Sequence, residues 1–124
     1  MNYLIVFVGA GLGGALRHAA NELALRWFGS AYPVSTLAVN VIGSLAMGLL
    51  AGYLAFRGEA PQAWRLFLAT GVLGGFTTFS AFSLDVVLLY QRGALLQAAM
   101  YIGLSIALSV AGLLLGLWMM RQGA

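Results

Sequence analysis

Four apolar runs, at about residues 3–27, 34–56, 62–90 and 94–120, fill almost the whole chain and leave only short polar punctuation between them. A helix needs roughly 20 apolar residues to cross the ~30 Å hydrocarbon core of a bilayer, and each run meets that length. The expected fold is all-α integral membrane, a single domain over 1–124 with four transmembrane helices and no room for a soluble domain. Composition agrees: 62% of residues are hydrophobic and 7% charged, where an ordinary soluble domain carries about 25% charged residues.

The punctuation falls at Gly29-Ser30-Ala31-Tyr32-Pro33, Arg57-Gly58-Glu59-Ala60-Pro61 and Gln91-Arg92-Gly93. Four spans put both termini on one side. The start, MNYLIVFVGAG, lacks a basic region and a convincing cleavage site, so the first span is expected to stay attached. Cysteine is absent, which excludes disulfides, thiolate metal sites and cysteine nucleophiles. The net charge of +3 rests on six arginines scattered at helix ends, which suit snorkelling to the interface and make no patch for nucleic acid. Counted by side, Arg57, Arg65 and Arg121 lie with the termini and Arg26 and Arg92 opposite, with Arg17 inside the first span. Because the basic bias of short loops sets orientation, this near-balance predicts weakly specified topology and an antiparallel dual-topology homodimer. Small residues at helical spacing, Ser44, Gly48 and Gly52 in the second span and Gly112 and Gly116 in the fourth, predict close helix packing.

The third run is the unusual one. As a straight helix it would measure ~40 Å, longer than the core, and its middle reads GVLGGFTTFSAFS at 71–83. Gly74-Gly75 lowers helix propensity and Thr77-Thr78 adds β-branched residues with competing hydroxyls, so a break is expected in mid-membrane. Carbonyls freed there need protein, water or an ion, and hard oxygens of this kind suit Na⁺ better than a soft metal. Phe79 and Phe82 follow on one face, either packing or turning electropositive ring edges to an anion. Asp85 lies three residues on, with Arg17 or Arg92 as candidate ion-pair partners.

Two further spans carry polar stripes. Asn40 shares a face with Thr36, Gly43, Ser44 and Met47, and an amide so deep in a span serves either as interhelical glue or as a donor to a passing anion. Tyr101, Ser105 and Ser109 succeed one another at i+4, a line of hydroxyls ~12 Å long. No nucleophile-base-orienter set is visible, so an enzyme is not expected.

Three motifs in order, GLGGALRH at 11–18, TLAVNVIG at 36–43 and GGFTTFSAFS at 74–83, give the chain a resemblance to the CrcB or Fluc fluoride channels along essentially its whole length. The resemblance implies a fluoride-selective passive channel exporting fluoride down its gradient. It further implies an antiparallel homodimer in the inner (plasma) membrane, with a structural Na⁺ at the dimer centre and two pores. Main-chain carbonyls of Gly74 and Thr77 would hold the Na⁺. Asn40, Phe79, Phe82 and Ser80 would line the pore, Tyr101, Ser105 and Ser109 would form its polar track, and Arg17 would shape the vestibule. His18 stands where an aromatic is usual and would make ion access pH-sensitive, and Ala81 stands where a hydroxyl is common. The alternative is a small multidrug-type proton-coupled antiporter, which needs a membrane-embedded glutamate; Glu22 lies too near the end of the first span to fill that part comfortably.

Overall fold

A computed structural model describes residues 2–29, 33–56, 58 and 61–122. The expected turn residues Ser30, Ala31, Tyr32, Glu59 and Ala60, and Arg57 of the arginine balance, lie outside the described residues. The described residues are almost all helical, with no strand among them. The order is α1 (Asn2–Phe28), α2 (Val34–Phe56), α3 (Gln62–Arg65), a π-helical segment (Leu66–Leu73), α4 (Gly74–Phe76), α5 (Phe79–Gln91) and α6 (Leu95–Gln122). Taken together from Gln62 to Gln91, the four middle pieces make the third of four stretches long and apolar enough to cross a membrane. At Gly29 and Gly93 the backbone takes φ of 75° and 79°, the left-handed region that glycine occupies without a Cβ penalty. The Gly29 N–H donates to the Leu25 carbonyl at 3.1 Å, and Gly93 does the same to Tyr90 at 3.0 Å, which closes α1 and α5.

Two tight helix pairs make the bundle. α2 runs parallel to α6: a Cβ on Gly48 would collide with the Leu113 carbonyl, one on Gly116 would lie 2.6 Å from the Leu45 carbonyl oxygen, and one on Gly52 2.7 Å from Met120. These are the glycines whose spacing predicts close packing, and Gly112, with its nearest atom at 3.4 Å, sits more loosely on the same seam. The second pair is α1 against the π-helical segment and α4. There a Cβ on Gly9 would stand 2.7 Å from the Phe67 carbonyl oxygen, and one on Gly13 would meet that of Val72. In lipid, where apolar contact offers no preference over acyl chains, backbone approach of this kind is what holds helices together.

Little of the chain is buried. Leu89, Ala98 and Tyr101 form a small core with Leu37, Phe82, Val86 and Ala94 against it, and Leu89 keeps 2% of its surface. Most other large apolar side chains point outward, as lipid-facing or partner-facing residues do.

Between α4 and α5 the backbone leaves helical geometry. Thr77 has φ −82° and ψ 158°, and Thr78 has φ −152° and ψ 126°. Gly43 on α2 lies against this stretch so closely that a Cβ there would overlap the Thr77 methyl.

Candidate functional site

The extended stretch is tied down from α2. The Asn40 side chain donates from Nδ2 to the Thr78 carbonyl at 2.9 Å and accepts the Thr78 N–H on Oδ1 at 2.8 Å, so one carboxamide meets both main-chain groups of one residue. A peptide bond in a neighbouring strand would present the same donor-acceptor pair. This is the glue alternative for Asn40, and it occupies only one of its two amide hydrogens. Thr78 then starts α5: its Oγ1 accepts the Ala81 N–H at 3.2 Å, an N-cap, and lies 3.3 Å from the Ser80 Oγ. On the other side of the break Thr77 donates from both its N–H and its Oγ1 to the Leu73 carbonyl, each at 3.0 Å.

These bonds have a consequence for two carbonyls. In an unbroken helix the Thr78 N–H would belong to Gly74 O and the Ala81 N–H to Thr77 O. Both are diverted, one to Asn40 and the other to Thr78 Oγ1. Gly74 and Thr77 thus present neutral, hard main-chain oxygens without their helical partners, a donor type that fits Na⁺. No group of three or more His, Cys, Asp or Glu side chains suited to a metal occurs among the described residues.

Around the break lie two cavities. A groove of about 410 Å³ is lined by Asn40, Phe79, Phe82, Ser105 and Ser109, with Gly74 and Thr77 at its wall. Phe79 and Phe82 sit with ring centroids 5.5 Å apart and planes 41° apart. Phe79 is 78% exposed, so the groove is open to the outside of the single chain. Ser105 is the opposite case: it is 6% exposed, and its Oγ has no hydrogen-bond partner. A hydroxyl buried in this way normally finds one.

The second cavity, about 460 Å³, is lined by Arg17, His18, Asn21, Thr36 and Ser80. His18 Nε2 lies 3.0 Å from Glu22 Oε1, an exposed pair. The Asn21 carboxamide oxygen accepts from the Ser35 hydroxyl, which links α1 to the start of α2. Thr78 belongs to the walls of both cavities.

The sequence-predicted residues therefore divide. Asn40, Gly74, Thr77, Phe79, Phe82, Ser105 and Ser109 meet in the groove, while Ser80 and Arg17 meet in the chamber. Tyr101 stands behind Phe82, with centroids 5.2 Å apart, and its hydroxyl donates to Asp85 Oδ2 at 3.1 Å. The partner the fold gives Asp85 is thus a phenol, where the sequence pointed to Arg17 or Arg92. Thr78 enters the sequence reading only through the helix-weakening Thr77-Thr78 pair and not as a site residue, although a Thr three residues before Ala81 at a helix start is a readable N-cap signal.

The family model described as CrcB-like protein, Camphor Resistance (CrcB), matches residues 4–117. A protein of Nitrobacter hamburgensis named fluoride-specific ion channel FluC 2 is 60% identical over 122 residues, covering 98% of each chain. Proteins named fluoride-specific ion channel FluC from Methylobacterium nodulans and Rhodopseudomonas palustris strain BisB5 are 57% identical over 122 residues and 56% over 121, again covering 98% of each chain.

Proposed function

The chain belongs to the CrcB-like family, and from that premise we propose that it is a fluoride-selective passive channel that exports fluoride down its gradient. It is a multi-pass membrane protein and not an enzyme. The observation that carries the proposal is the Ser105 hydroxyl, buried and unpartnered in the same groove as two phenylalanine rings and a spare Asn40 amide hydrogen. A small, strongly hydrated anion must exchange part of its water for donors that do not trap it. Hydroxyl and amide hydrogens with electropositive ring edges supply weak, aimed contacts of that kind.

In this reading fluoride enters from the chamber shaped by Arg17, passes Ser80, and meets Asn40, Phe79 and Phe82. It continues along the track of Ser105 and Ser109, with Tyr101 setting the position of Phe82. The break in the third span lies in mid-membrane. The subunits form an antiparallel dual-topology homodimer in the inner (plasma) membrane, with one pore for each. Exposure of Phe79 supports the pairing, since a pore needs a second wall there. The diverted hydrogen bonds of Gly74 and Thr77 support a structural Na⁺ at the dimer centre, held by these carbonyls from both subunits. A bound cation would add positive field to the neighbouring pores.

A proton-coupled antiporter is not favoured, because Glu22 is exposed beside His18 and Asp85 is engaged by Tyr101. The test is fluoride efflux from liposomes holding purified protein. Rapid efflux with no imposed pH gradient, and none of chloride, is the expected result; flux that needs a proton gradient overturns the channel reading.

A further inference from the structure

Thr78 is the residue common to the walls of the two cavities. Three observations converge on its hydroxyl. It is buried, at 9% exposure, inside a partition whose backbone is clamped by Asn40. It accepts the Ala81 N–H, which occupies one lone pair. It lies 3.3 Å from Ser80 Oγ, a side chain of the chamber, and either oxygen can donate in that contact. When Ser80 donates, the Thr78 proton is left without a protein acceptor and is available at the partition. When Thr78 donates, the Ser80 proton is available on the chamber side instead. The pair is a two-position donor switch across the wall.

We propose that Thr78 hands the anion from the chamber to the groove, its hydroxyl proton being the donor at the wall they share. The inference rests on the channel reading and names a further ion-contacting residue within it. An ion held by Ser80 in the chamber draws the Ser80 proton towards itself, and rotation of the Thr78 hydroxyl then offers the next donor without moving the backbone. The N-cap bond persists throughout, because it uses an acceptor site and not the proton.

Capping and hand-over are separable by substitution. Thr78→Ser keeps both, Thr78→Asp keeps a strong capping oxygen but brings no proton to donate, and Thr78→Val keeps the shape while losing both. Fluoride efflux is measured from liposomes for each variant, together with the melting temperature of the purified protein in detergent. The expected result is Thr78→Ser within about twofold of wild type and Thr78→Asp and Thr78→Val slower by roughly tenfold or more, as for loss of a hydrogen bond to an ion. Thr78→Asp is expected to melt lower, because its carboxylate is desolvated at a buried position, so efflux is compared well below that melting temperature. Wild-type efflux from Thr78→Asp overturns the proposal, as does a Thr78→Val variant that melts lower but conducts normally, since either leaves only the cap. No fluoride efflux from wild type overturns the channel reading, and this inference falls with it.

Discussion

Ser105 offers a separation rarely available for a buried polar group. Its hydroxyl has no partner in the fold, so folding gains nothing from it and bears the cost of its desolvation. Ser105→Ala is expected to leave the melting temperature unchanged or to raise it, by up to about 1 kcal/mol in stability, while fluoride efflux falls. Parallel loss of stability and flux would assign the hydroxyl to packing. Asn40 behaves in the reverse sense, because its carboxamide serves Thr78 first. Asn40→Asp replaces the donor to the Thr78 carbonyl with a charged oxygen facing another oxygen. A loss of roughly 1–3 kcal/mol is expected by thermal melting, together with loss of flux. The sequence offered glue and anion donor as alternatives for Asn40; the geometry shows the first and leaves one amide hydrogen for the second.

At the level of elements, the glycines rank themselves by what surrounds them. Gly48→Ala would drive a methyl into the Leu113 carbonyl and should weaken the α2–α6 seam by about 1–3 kcal/mol, read as a lower melting temperature. Gly103→Ala meets nothing within 4 Å and should be neutral or stabilising, since alanine is the better helix former. Much of this level is legible in the sequence, because hydropathy and run length set the four helices and small-residue spacing marks the glycines of close contact on α2 and α6, though not that these two helices meet. Three features were not. The π-helical turns at Leu66–Leu73 lie in uniformly apolar sequence, where nothing distinguishes one helical period from another. The seam between Gly9, Gly13 and the third span was hidden because glycines on one helix do not announce which helix they meet. The role of Thr78 depends on a side chain 38 residues away, and local propensity carries no trace of that partner.

For the whole molecule, the arginine near-balance and the absence of cysteine combine into a direct test. A cysteine introduced by Gln122→Cys is the only thiol in the chain, and an impermeant maleimide should label it from both faces of the membrane if subunits insert both ways. Labelling from one face alone contradicts dual topology. The open side of the groove reaches further. If the subunits pair as proposed, a solitary subunit with Phe79 exposed holds half of a conduit, and the missing half must diffuse to it through the lipid. Conduction is then governed by mass action in two dimensions. As protein is diluted with lipid until pairs dissociate, efflux per subunit should decline, with total activity tending to the square of surface density. A strictly proportional response would mean either that pairs never part or that one chain suffices. For the cell, a paired conduit would make export capacity a steep function of how much of this protein its membrane holds.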